Sequence, residues 1–109
     1  MANTLKVLGQ SNPLAATLTD AYTVPGATSA TVSTITIANR DVTATTFRIS
    51  VAVAGAANDN KQYVVYGAEV AGNDTIALTL GITLAATDVV RVYATLATLS
   101  FNIFGVEVT

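Results

Sequence analysis

Histidine and cysteine are absent from this 109-residue chain, and only 11% of its residues are charged. Each absence removes a class of chemistry. Without cysteine there is no disulfide framework, which fits maturation in a reducing compartment. Without thiol or imidazole, zinc, haem and iron–sulfur sites lose their usual ligands. A serine nucleophile has no histidine to act as its base. A serine–lysine pair would have to use Lys6 or Lys61, and neither follows a recognisable motif. Glu69 and Glu107 are the only glutamates, with no histidine to support a carboxylate pair of the kind that cleaves glycosides. The inventory reads as that of a non-enzyme that uses no cofactor and no metal.

The five basic residues are Lys6, Arg40, Arg48, Lys61 and Arg91, scattered along a chain of net charge −2. They form no run that could follow a phosphate backbone, so nucleic acid is not an expected partner. Residues 1–4 show no basic segment leading into an apolar one and do not read as a signal peptide. The longest apolar stretch, residues 76–86, is too short and too rich in threonine to span a bilayer. No membrane association is expected.

What the chain has in quantity is hydrophobic side chains, 51% of the total. A single domain of this size exposes roughly 5,700 Å² when folded alone, or about one charge per 470 Å² here. Average composition gives about one per 210 Å². A surface so poor in charge is well suited to being partly covered, so assembly is the first expectation.

Val, Ile and Thr abound, and their branched Cβ atoms pack well on a pleated sheet. No apolar stripe runs at helical spacing. Short alternating runs separated by turn residues predict an all-β, antiparallel two-sheet β-sandwich, jelly-roll or immunoglobulin-like, over residues 1–109 as one domain. About eight strands are expected: 5–10, 14–24, 30–39, 46–54, 62–70, 75–80, 89–95 and 99–108. The clearest is 46–54, where Phe47, Ile49, Val51 and Val53 alternate with Arg48, Ser50, Ala52 and Ala54. Pro25-Gly26 suits the centre of a type II turn. In the last strand the apolar phase shifts from Ile103 to Val106 beside Gly105, which predicts a β-bulge there. The expected core is Phe47, Ile49, Val51, Ile76, Leu78, Leu80, Val90, Val92, Phe101 and Ile103.

Asp41, Asp59, Asp74 and Asp88 fall in turns. They are conceivable calcium ligands, but none lies in a D-x-[DN]-x-[DN]-G loop, and turn aspartates ordinarily bond their own backbone. Arg40 beside Asp41 reads as a loop ion pair. Tyr63, Tyr66 and Tyr93 on strands suit either a core rim or an exposed binding surface. Tyr63, Tyr66 and Phe104 are the candidate anchors of an assembly interface, since aromatics are favoured there.

The second half of the chain carries a resemblance. Residues 61–70, then Ala71-Gly72-Asn73-Asp74-Thr75, then Gly81-Ile82-Thr83-Leu84-Ala85-Ala86-Thr87-Asp88-Val89-Val90-Arg91-Val92-Tyr93-Ala94, closed by Ser100-Phe101-Asn102-Ile103-Phe104-Gly105-Val106-Glu107, resemble small virion structural proteins of tailed bacteriophages. Upstream, Ile37-Ala38-Asn39-Arg40 before Thr46-Phe47-Arg48-Ile49-Ser50-Val51 matches the same style. The resemblance implies a structural building block of the virion, assembled in the bacterial host cytoplasm. Within that class it implies a capsid decoration (cement) protein that binds the major capsid protein or another virion protein. It further implies a homo-oligomer, with a trimer favoured, and no catalytic residue. A neck, tail or fibre module is the alternative within the class. A host-surface or carbohydrate-binding sandwich using exposed tyrosines is the alternative outside it.

Overall fold

The computed structural model describes residues 2–109. Nine strands follow in order: β1 (Asn3–Ser11), β2 (Thr19–Thr23), β3 (Ser29–Asn39), β4 (Thr45–Ala52), β5 (Tyr63–Val70), β6 (Thr75–Leu78), β7 (Ile82–Leu84), β8 (Val89–Ala94) and β9 (Leu99–Val108). Two single 3₁₀ turns, Val53–Gly55 and Asn60–Gln62, are the only helical elements among the described residues. One antiparallel sheet has the order β1-β9-β3-β6, with β7 also paired to β3; the other has the order β2-β8-β4-β5. The accessible surface is 5,492 Å², close to the area expected for a monomer of this length.

β6 and β7 act as one interrupted strand. Leu78 pairs with Ile35 and Ile82 with Val32, so residues 79–81 stand opposite Ser33 and Thr34. With those two segments counted together, each sheet has four strands. Every chain connection then crosses between the sheets except the one from β4 to β5. That is jelly-roll connectivity rather than immunoglobulin connectivity.

Period-two alternation builds the core. Phe47 and Ile49 of β4, Val90 and Val92 of β8, Ile35 and Ile37 of β3, and Phe101 and Ile103 of β9 are all buried. Phe47 and Phe101 meet edge to face across the two sheets, ring centres 6.0 Å apart. Val51, Ile76 and Leu78 are partly buried against this cluster.

Several expectations need correction. Leu80 is 43% exposed, because β6 ends at Leu78 and the chain turns through Gly81 at φ +62°. Val53 is likewise exposed, because β4 ends at Ala52 and Ala54 adopts φ +55°. The predicted strand over 14–24 is reduced to β2. Its first half crosses from one sheet to the other, with Ala16 at φ +53° and its N–H donating to the Ala94 carbonyl. The left-handed residue of the turn after Pro25 is Ala27, not Gly26.

The expected bulge at Gly105 lies instead on both neighbouring strands. The register skips Leu8 in β1 and Ser33 in β3, while β9 keeps a single alternation through Glu107. Val106 and Val108 therefore face away from the core. The glycine has a different role: a Cβ at Gly105 would collide with the Thr31 carbonyl oxygen and press on Leu8.

Candidate functional site

Two sheets give two outward faces, and they differ in chemistry. Residues opposite one another in an antiparallel pair share a face, so the register assigns every outward position. In the β1-β9-β3-β6 sheet, β9 presents Ser100, Asn102, Phe104, Val106 and Val108 outward. β1 adds Asn3, Leu5, Val7 and Gln10, and β3 adds Ser29, Thr31, Thr34, Thr36 and Ala38. Thr75, Ala77 and Thr83 complete the face from β6 and β7. No Asp, Glu, Lys or Arg occupies an outward strand position of this sheet.

An apolar stripe crosses the charge-free face at the β1–β9 pair. Leu5 stands opposite Val106 and Val7 opposite Phe104. Leu5 is 85% exposed and Val7 46%. Two charged residues of these strands are turned the other way. The Lys6 ammonium pairs with Glu107 at 3.3 Å. Glu107 also accepts a 2.6 Å hydrogen bond from the hydroxyl of Tyr22, which reaches across from β2. That hydrogen bond, aided by Lys6, holds the Glu107 carboxyl below its ordinary range against the opposing effect of burial. Burial first, then the bond to Glu107, pushes the Tyr22 hydroxyl up.

The outward face of the β2-β8-β4-β5 sheet is charged and aromatic. Arg48 of β4 lies between the rings of Tyr66 and Tyr93, 4.3 and 4.2 Å from their centres. Tyr63 packs edge-on against Tyr66 at 5.0 Å. Arg91 bonds Asp20 at 2.9 Å and the carbonyl oxygens of Ala56 and Gly55. It thereby ties the segment after β4 over this face and buries Ser50 and Ala52 beneath it. A capping box at Asp59 and the buried Gln62, whose amide donates to the Ala57 carbonyl, complete that cover.

The three candidate anchors do not form one surface. Tyr63 and Tyr66 are neighbours on the charged face, joined by Arg48 and Tyr93. Phe104 lies on the charge-free face of the other sheet. Alternation along β9 tells that Phe104 faces away from Phe101, but only sheet topology separates it from the tyrosines.

The polar loop residues serve the fold. The Asp41 and Asp74 carboxylates accept the N–H of the next residue, and Asp59 accepts from Lys61. Buried Asp88 accepts from Ala54 and Ala85. Arg40 makes no ion pair with Asp41; its guanidinium donates to the Ala97 carbonyl at 3.0 Å. The short Asp41 side chain is already engaged with its own loop. Asn39 is buried and bridges loops: its amide donates to the carbonyls of Thr43, Val70 and Ala71, and its oxygen accepts from Asp41. Glu69 and Glu107 lie in different sheets and are not brought together.

No protein-family model matches this chain, and no curated protein is significantly similar to it.

Proposed function

We propose that this chain is a structural protein of a tailed-phage virion, a capsid decoration protein that attaches in many copies to the shell exterior through its charge-free sheet face. The observation that carries this reading is the chemistry of that face. Its strands are free of charge at every outward position, and its apolar stripe is open to solvent. A sheet face of this kind docks without stripping an ion of its water, provided its Ser, Thr and Asn groups find hydrogen-bond partners. The contact is apolar along the stripe and neutral around it, so it changes little with salt. The resemblance of residues 61–107 to virion modules supports the same reading. Many small clamps, each adding a modest contact, stabilise a shell through their number. The major capsid protein is the expected partner, and a neck, tail or fibre position would use the same face.

A second reading is favoured by the tyrosine face. Jelly rolls serve in viral shells and in lectins, so the fold alone does not choose between them. A sugar-stacking platform needs free aromatic faces. Here Arg48 occupies one face of the Tyr66 ring and one of the Tyr93 ring, and Tyr63 meets Tyr66 edge-on, so the rings do not form a flat platform although Tyr66 remains 64% exposed. We therefore assign the Arg48–tyrosine cluster to support of the sheet and propose docking on the opposite side.

The test is quantitative mass spectrometry of purified virions, with imaging of particles that lack the protein. Hundreds of copies and lost density on the shell are expected. About a dozen copies with density lost at the neck or tail would move the protein within the virion. Absence from purified particles would overturn the reading.

A further inference from the structure

A sandwich of two open sheets has four edges, and three of them are blunted here. β2 is five residues long, skips Ala21 in its register and carries the Asp20–Arg91 ion pair. β5 skips Gly67 and Val64. β6 and β7 are separated by residues 79–81. Short strands, bulges and charge are the ordinary guards against edge-to-edge pairing. The fourth edge, β1, is nine residues long and, among the described residues, pairs only with β9; its guards are a single charge, Lys6 paired with Glu107, and a register skip at Leu8 in its second half. Its second half approaches β2, where Gly9 lies against Ala21. Its first half, Asn3 to Val7, is regular and exposed.

The ladder determines which groups that half offers. Ala2 and Thr109 exchange both backbone hydrogen bonds, at 3.0 and 2.9 Å. Such pairs alternate along an antiparallel ladder with pairs that exchange none. Thr4 and Lys6 therefore direct their backbone groups to β9. Asn3, Leu5 and Val7 direct their N–H and C=O groups to the open edge. The side chains of these three residues lie on the charge-free face.

We infer that β1 pairs antiparallel with β1 of a second copy of this chain, about a two-fold axis through Leu5. This register sets Leu5 against Leu5 and Asn3 against Val7, so the outward N–H and C=O groups of all three residues find partners. Thr4 stands opposite Lys6, and no like charges are opposed. The neighbouring register, centred on Lys6, sets two ammonium groups face to face. It also matches Asn3 to Gly9, which is held against β2. A two-fold contact requires one self-complementary patch, and the first half of β1 is one. Pairing also aligns Val106, Leu5, Leu5 and Val106 in a continuous apolar row across both copies. The contact is smaller than the ~800 Å² per partner of a standard interface, so the dimer is reversible.

The inference gives a two-fold dimer where the resemblance implies a trimer; it does not rest on the virion assignment and is tested on the purified chain. Sedimentation velocity should show the mass rising from one protomer towards two with concentration. Leu5→Lys places like charges across the axis and should hold the chain monomeric, with an unchanged far-UV circular dichroism spectrum. Because the chain has no cysteine, Leu5→Cys reports proximity directly. Cα atoms of a hydrogen-bonded pair lie about 5.5 Å apart, within disulfide range. On oxidation Leu5→Cys should cross-link on the order of tenfold faster than Val42→Cys, an exposed position remote from β1. A parent chain that stays monomeric at all concentrations overturns the inference. So does an oligomer that survives Leu5→Lys, or cross-linking no faster than that of Val42→Cys.

Discussion

The two outward faces of this sandwich share one core and are built from the same strand-favouring residues, yet they handle solvent in opposite ways. On the β2-β8-β4-β5 side, charge is kept and its side chains are held in place. Arg48 is stacked between two tyrosines, and Arg91 is held by Asp20 and two carbonyl oxygens. On the β1-β9-β3-β6 side, charge is removed from the surface. Threonine, serine and asparagine supply the polarity, and Lys6 and Glu107 are turned towards the second sheet. The first face is partly covered by its own side chains and by the 53–62 segment, which bury Ser50 and Ala52 while Tyr66 stays exposed. Among the described residues no segment lies over the second, and the proposed docking uses that difference.

The largest test of this contrast strikes what the faces share. Phe47 and Phe101 are each 1% exposed and join the sheets. Phe47→Ala should cost about 3–5 kcal/mol, a large part of the 5–15 kcal/mol typical of a domain. Chemical denaturation would measure it. Both faces should fail together, and a loss well below 2 kcal/mol would mean that the sheets hold together without this contact.

The next test separates the faces. Val106→Glu puts a carboxylate in the middle of the charge-free face. The free chain should fold nearly as before, because Val106 is only half-buried. A charge left unpaired in a docked interface costs about 3 kcal/mol or more, roughly a hundredfold in affinity. Binding to shells stripped of the protein, measured by co-sedimentation, should fall by that factor. Full binding by Val106→Glu would remove the face from the contact.

The converse substitution is smaller. Arg48→Ala removes two cation–π contacts on a partly exposed face, worth about 1 kcal/mol in total. In a domain of this size that lowers Tm by about 4–8 °C. Shell binding should not change. If Arg48→Ala weakens binding while Val106→Glu does not, the two faces have exchanged roles.

How much of this was legible beforehand depends on local pattern. β4 alternates cleanly, as does β9 up to Ile103, and the structure places both strands within one or two residues of expectation. Several misreadings sit where a residue other than glycine bends the chain. Ala16, Ala27, Ala54 and Thr87 all adopt positive φ, a conformation that sequence reading assigns to glycine or asparagine. The break at Gly81 is legible in the sequence, but its extent is not: Thr79 and Leu80 continue the strand-like composition although the backbone has left the ladder at Leu78, and Ile82–Leu84 pairs again beyond it. The bare face was nearly readable. The even positions of β9 carry no charge, but assuming a bulge in β9 rather than in its neighbours moved Val106 and Val108 to the wrong side. That Tyr63 and Tyr66 belong to a different sheet from Phe104 depends on jelly-roll crossings, which no local pattern encodes.

The smallest effect concerns the device that keeps charge off the bare face, the Tyr22–Glu107–Lys6 cluster. Glu107 is held as a carboxylate, chiefly by the Tyr22 hydroxyl and then by Lys6. A carboxyl whose folded pKa lies below its unfolded value contributes stability above the ordinary carboxylate range. That contribution is lost as pH falls through the folded pKa. Tyr22 has the opposite sign. Burial and then Glu107 raise its folded pKa, so its contribution is complete below the ordinary tyrosine value of about 10 and is lost as pH rises beyond it. Stability should therefore be flat through neutrality and decline on both flanks. Glu107→Gln should flatten the acid flank, since the ionisable group is gone. The alkaline flank should shrink but persist, because burial is the larger cause of the Tyr22 shift. Tyr22→Phe should abolish this cluster's share of the alkaline flank and weaken the acid one. Thermal melts of the three proteins between pH 3 and 11 measure all of this. An acid flank unchanged in Glu107→Gln would show that Glu107 is turned inward by strand alternation alone, with no help from its two partners.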